Sequence, residues 1–366
     1  MSVQVGYSKQ FIFGLILLLI IFSGIEGLSR TYEFLNPNCT FVGKDAYQNT
    51  DFFLIRQMCE DLKTRIFTDS NSFSINSPNQ HSDTINVNSF GFRGSEIDKN
   101  KADNVFRIFV IGGSTTFGYG ATSDETTIPG FLQEKFKSVE LDLEIEVINA
   151  GSPSATSYDE IKYTEKIIQE LEPDLFIVYD GWNDAAHKIR SQIIEEENNN
   201  EIGEEFKFSN FPFYRTPFVI KEIFFFDPAS EGLMLVDETK NEEKAKIWVN
   251  RWSEICKLGN SHEVSTLITI QPMLGSGNKS LSVDEEKLAS MFSEKHNLLP
   301  ILEIMSNSLN ELKTDCAGTA DLRDSFDGIE KPIFYDVGHT NDLGNNIIAD
   351  KLFELSLPII QENMKK

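Results

Sequence analysis

The chain has 366 residues, 40% of them hydrophobic, enough for a substantial buried core in one large α/β domain or two small ones. Its 33 Lys and Arg face 57 Asp and Glu, and the resulting net charge of −24 repels phosphate backbones and anionic membrane surfaces, which argues against nucleic acid as a partner. The simplest reading of this acidity is a solvated, self-repelling surface.

The first feature along the chain is a nearly continuous apolar run from Phe11 to Ile25, preceded by Lys9 and followed by Glu26 and Arg30. At about 15 residues, or about 18 when counted to Leu28, it is short for a spanning helix and long for a signal-peptide core. Ser23-Gly24-Ile25 is a poor cleavage signal, so residues 1–29 read as an uncleaved signal anchor, with a cleaved signal peptide as the alternative. Either one exports the remainder, which is then membrane-anchored with an extracytoplasmic domain, or secreted. Lys9 and Arg30 balance each other, so flanking charge leaves the orientation ambiguous.

Residues 30–100 are rich in Asn, Ser and Asp without a sustained period, and read as a stalk or N-terminal extension. They end near Val87-Asn88-Ser89-Phe90-Gly91-Phe92-Arg93-Gly94, a turn expected to dock on the domain C-terminal to it. The four cysteines, Cys39, Cys59, Cys256 and Cys316, show no C-x-x-C spacing. In an exported chain they permit two disulfides, most simply Cys39 with Cys59 and Cys256 with Cys316, while free buried thiols are the alternative.

From Asn104 short apolar runs alternate with amphipathic stretches, the pattern of a parallel sheet with crossover helices, and residues 101–358 read as one α/β domain. Strands are expected at Phe106–Ile111, Ile145–Ile148, Leu175–Tyr179, Ser265–Ile270 and Pro332–Tyr335. Helices are expected at Thr126–Ser138, Tyr158–Glu170, Glu242–Leu258, within Val283–Leu312, and at Asn345–Leu355. Residues 186–240 read as an insertion whose Phe-rich part, Phe211 to Phe226, is satellite core or a cover over the site, and residues 359–366 as a tail.

Three motifs come directly after predicted strands, at the carboxyl edge where open α/β sheets place their ligands. Ile111-Gly112-Gly113-Ser114-Thr115-Thr116-Phe117-Gly118 offers a serine on a tight strand-to-helix turn, with small neighbours that let a carbonyl approach; the Gly-x-x-x-x-Gly-Lys spacing of a P-loop is absent. Val147-Ile148-Asn149-Ala150-Gly151 brings a glycine N–H to the next strand end. Asp180-Gly181-Trp182-Asn183-Asp184 brings an amide suited to a developing oxyanion, or a simple helix-capping turn. A fourth, Tyr335-Asp336-Val337-Gly338-His339-Thr340, sets an Asp three residues before a His, so one loop supplies a base and its orienting carboxylate. Asp184-Ala185-Ala186-His187 has the same spacing, but a helix starting there carries His187 away from the strand edge, which makes it the weaker base.

In this order the blocks resemble the SGNH hydrolases, the GDSL esterases and lipases, whose invariant residues match Ser114, Gly151, Asn183 and His339. The resemblance covers roughly Asn104 to Leu355. It implies a flavodoxin-like three-layer α/β/α fold, Ser114 as nucleophile, His339 as general base and Asp336 as its orienter. It also implies an oxyanion hole from the N–H groups of Ser114 and Gly151 and the Asn183 amide. Two departures stand out: Gly113 and Thr115 replace the Asp and Leu of Gly-Asp-Ser-Leu, and Ser154 stands near the place of a further glycine in the second block. The implied activity is hydrolysis of an O-acyl ester, on a surface glycan, a lipid or a small ester, through an acyl-enzyme and with no metal or organic cofactor. An O-acyltransferase acting on a glycan hydroxyl is the first alternative, and a non-catalytic surface binding protein of the same fold the second.

Overall fold

A computed structural model describes residues 6–35, 39–65, 76–186, 215–225, 240–293 and 298–365. The N-terminal helix α1 is Tyr7–Leu35 and α2 is Phe52–Thr64; β1 (Gln80–His81) and β2 (Asn86–Val87) form a small antiparallel ribbon. The main domain then alternates β3 (Val105–Gly112), α3 (Ser114–Phe117), α4 (Ile128–Lys137), β4 (Glu144–Gly151), α5 (Ser157–Glu170), β5 (Leu175–Asp180) and α6 (Trp182–Ala186). It continues with α7 (Thr216–Phe225), α8 (Asn241–Ser261), β6 (Ser265–Ile270), α9 (Val283–Ser293), α10 (Leu299–Leu312), β7 (Gly318–Asp321) and α11 (Asp342–Asn363).

Five parallel strands make one sheet in the order β4-β3-β5-β6-β7. Seven of the eight β3 residues are buried, because helices cover both faces: the apolar run 108–111 serves both, and the buried Arg107 is paired with Glu146. One face packs under α5, α8 and α10 through Phe109, Phe176, Trp248, Trp252 and Met305, and the other under α4 and α11 through Ile108, Ile177, Leu132 and Leu352. The fold is thus a three-layer α/β/α sandwich of flavodoxin-like strand order. Because β4 and β5 flank β3, the chain reverses its direction of winding there, and the crevice opens at the carboxyl end of β3.

Local signals fix several helix starts. Thr127 accepts from the Gly130 N–H at the head of α4, where Pro129 occupies the first turn, and Thr156 and Asp159 form a capping box on α5. The cysteines are bonded Cys39–Cys59 and Cys256–Cys316.

Three expectations need correction. Pro332–Tyr335 is not a strand but a loop with one bridge, Phe334 to Thr340; the fifth strand is Gly318–Asp321, four half-buried residues at the sheet edge without a β-branched run to announce it. The final helix does not stop near Leu355: it runs through Pro358 to Asn363, because Ser356 and Ile360 are buried and their packing outweighs the lost backbone bond. Within the extension, aperiodic by pattern, α2 forms behind an Asp51 cap that accepts from the Phe53 and Leu54 amides.

That extension lies against the domain. Phe41, Tyr47, Ile55, Met58 and Cys59 gather around Tyr335, on the loop that carries Asp336 and His339. Arg93 is buried and fully engaged: it pairs with Asp124 at 2.7 Å and donates to the carbonyls of Thr84, Phe117 and Gly118, so the conspicuous Phe-Gly-Phe-Arg-Gly turn clamps the segment after Ser114. Removing one partner of a buried pair strands the other charge and three carbonyls. Arg93→Leu is therefore expected to lower unfolding stability by about 3 kcal/mol, read as a shifted urea midpoint at unchanged slope.

Candidate active site

The turn after β3 is tight because nothing larger than glycine fits. A Cβ on Gly113 would lie 2.4 Å from Asn183 Nδ2, so a larger residue there would have to displace this amide. The turn places Ser114 at the first position of α3, where its N–H belongs to the helix's unpaired first turn.

Ser114 Oγ lies 2.6 Å from His339 Nε2, and His339 Nδ1 lies 2.8 Å from Asp336 Oδ2. The second Asp336 oxygen accepts from the N–H groups of Gly338 (2.9 Å) and His339 (2.7 Å), so the carboxylate folds its own loop around the imidazole. Burial pushes the Asp336 carboxyl up, but the neighbouring His339 and these hydrogen bonds outweigh it and hold it below the usual range, as an anion. Tyr335 lies nearly parallel to the imidazole at 5.8 Å between ring centres, and Tyr119 flanks it at the same distance. The arrangement joins a hydroxyl, a base and an orienting carboxylate in one hydrogen-bonded line across 225 positions of sequence.

A shallow depression adjoins this line, bordered by Ser114, Thr115, Trp182, Asn183, Gln271, Gly338 and His339. Asn183 Nδ2 spends one N–H on the carbonyl of Ala155 at 2.7 Å, which fixes the amide with its second N–H still to place.

Gly151 does not fit the part expected of it. Its N–H donates to Asn149 Oδ1 at 3.0 Å, and a Cβ there would come within 2.1 Å of the Phe117 nitrogen. Gly151 is a glycine so that α3 can approach β4, and its amide is already occupied; its reading as an oxyanion donor is corrected on that ground. Three residues on, Ser154 is exposed and holds φ +64°, a left-handed conformation that disfavours an L side chain by roughly 1–2 kcal/mol. Its peptide joins Ala155, the residue that anchors Asn183. In the sequence Ser154 stands out only as a departure from glycine, and that departure is the available signal.

The ground beneath Asn183 carries no signal in the sequence. Glu160, Asp180 and Asp184 are all buried there, with Asp180 accepting from Trp248 Nε1 at 2.8 Å and Asp184 from the Ser157 N–H at 2.8 Å. Burial, reinforced by the charge of Asp180, pushes Glu160 well up and Asp184 to about 7; burial raises Asp180 as well. The competing base, His187, lies outside the described residues, as do residues 211–214 and 226 of the Phe-rich stretch. Among the described residues no group of three or more His, Cys, Asp or Glu side chains is disposed to hold a metal ion.

No protein-family profile matches the chain, and no curated protein matches it. Solved structures similar to it include the acetyl xylan esterase AlAXEase, at 17% identity over 68% of this chain and 98% of that one, with a TM-score of 0.41. A catalytic mutant of Axe2, an acetylxylan esterase from Geobacillus stearothermophilus, is similar at 11% identity over 70% and 96% of the two chains, TM-score 0.41. TesA is similar at 11% identity over 70% and 99%, TM-score 0.40.

Because Asp184 takes up its proton more readily folded than unfolded, the stability it contributes is complete below about pH 4 and is lost as pH rises through about 7. The melting temperature is expected to fall between pH 5 and pH 8, and Asp184→Asn, which still offers an oxygen to the Ser157 N–H, is expected to flatten that fall. Differential scanning calorimetry across this range checks it.

Proposed function

We propose that the protein is a serine esterase of the SGNH type that hydrolyses O-acyl esters through an acyl-enzyme. The observation that carries this reading is the unbroken hydrogen-bonded line from Ser114 through His339 to Asp336 at the carboxyl edge of a parallel sheet. In it, His339 Nε2 takes the Ser114 proton as Oγ attacks the ester carbonyl, and the anionic Asp336 holds Nδ1–H and steadies the imidazolium that results. The same proton passes to the leaving alkoxide, which departs as an alcohol. Water, deprotonated by His339, then attacks the acyl group on Ser114, and the carboxylic acid leaves as Oγ recovers its proton.

The oxyanion of each tetrahedral intermediate falls to the Ser114 N–H, the remaining Asn183 amide hydrogen and the N–H of Ser154, in place of Gly151. The left-handed turn at Ser154 and the bond from Asn183 to its neighbour Ala155 support that assignment. The substrate is an acyl ester of a glycan, a lipid or a small alcohol, and the apolar helix α1 is long enough to hold the domain at a membrane as an anchor.

A fluorophosphonate probe is expected to label the wild-type protein and to leave Ser114→Ala unlabelled; equal labelling of both would end the assignment of Ser114. With a p-nitrophenyl ester, His339→Ala should lower kcat at least about a hundredfold. Asn183→Ala should lower kcat by about a hundredfold with KM nearly unchanged, since its second N–H matters most once charge sits on the oxygen.

A further inference from the structure

Helix α1 also makes polar contacts with a second helix, α7. At its carboxyl-terminal half the Glu26 carboxylate accepts from the N–H groups of Arg215 (2.9 Å) and Thr216 (3.1 Å) and from the Thr216 hydroxyl (3.0 Å). It thereby caps the first turn of α7, whose leading N–H groups have no partner within their own helix. Two turns along α1, Glu33 binds the Arg215 guanidinium at 2.7 Å, and between them the buried Ser29 hydroxyl meets Thr216 Oγ1 at 3.1 Å. These polar contacts begin where the apolar run of α1 ends, and they join it to a segment nearly two hundred positions away.

Three apolar side chains of α7 are exposed. Thr216 and Val219 are buried, while Ile220, Ile223 and Phe224 are 47%, 48% and 72% exposed. Spaced i, i+3 and i+4, these three share one stripe of the helix. None of the apolar window of α1 beside it is buried either. Each of the two clasped helices thus carries exposed apolar side chains, and the Glu26, Glu33 and Arg215 cluster joins them.

We propose that α1 is retained in the mature protein and that α7 is a second membrane-contacting element, lying beside the anchor at the bilayer surface with Ile220, Ile223 and Phe224 against lipid acyl chains. The proposal rests on the membrane reading of α1. The occupant is lipid rather than a protein partner because the stripe belongs to a helix clasped to one long and apolar enough to cross a bilayer. A chain of net charge −24 gains nothing from anionic headgroups, so the attachment is apolar and works on zwitterionic lipid. With α7 in the interface, the domain gains a second point of attachment and cannot swing freely about one helix.

The test uses the full chain in nanodiscs of dioleoyl phosphatidylcholine, with p-benzoylphenylalanine placed singly at Phe224, at Leu17 in α1 and at the solvent-facing Lys351, and lipid adducts read by intact mass spectrometry after irradiation. Adducts are expected at positions 17 and 224, at least about tenfold above those at 351. Adducts at 17 but not at 224 would overturn the proposal and leave the anchor standing. None at 17 would show that α1 itself is not in the bilayer, a separate failure that removes the proposal's basis. A mature chain whose mass shows cleavage beyond Glu26 would overturn it outright, since the clasp is then gone.

Discussion

The hydrogen bond between Ser114 Oγ and His339 Nε2 depends on nearly everything else in the domain being in place. Its two partners come from opposite ends of the domain's sequence, and no local interaction brings them together. The parallel register does so: Gly112 of β3 lies opposite Gly151 of β4 and Tyr179 of β5, so the loops after these strands leave the sheet at one level. The reversal of winding at β3 then opens the crevice in which a hydroxyl, an amide and an imidazole meet.

Several residues that look functional in isolation turn out to serve this geometry. Gly113 leaves the Asn183 amide undisturbed beside the turn, and Gly151 gives up its side chain so that α3 can close on β4. Arg93 ties the extension to the backbone just past the serine, while Phe41 and Tyr47 pack on Tyr335, whose ring lies over the imidazole. The site is thus supported from outside the sheet by a segment that the sequence presents as a stalk or N-terminal extension ending in a docking turn.

Beneath Asn183, burial raises the proton affinity of three carboxyls, and Asp180 raises that of Glu160 and Asp184 further. Such a cluster weakens the fold as it ionises, and it sits directly behind an amide that the proposed mechanism needs in a fixed place. Positional rigidity at the oxyanion site and tolerance of rising pH are therefore coupled through the same few side chains.

Periodicity and punctuation in the sequence determined the alternating α/β plan, four of the five sheet strands and the four short blocks that carry Ser114, Gly151, Asn183 and the Asp336–His339 pair. These are local signals: an apolar run buried on both faces, a glycine turn, an Asp three residues before a His. Only the tertiary structure decided which strand closes the sheet, because Gly318–Asp321 owes its strand to pairing with β6 rather than to its own composition. It also decided that the amide of Gly151 is spoken for while Ser154 takes the left-handed turn, since hydrogen-bond partners and backbone angles are properties of packing. The clasp between α1 and α7 belongs to the same class: charges at Glu26, Glu33 and Arg215 say nothing of one another until the chain has folded them within reach.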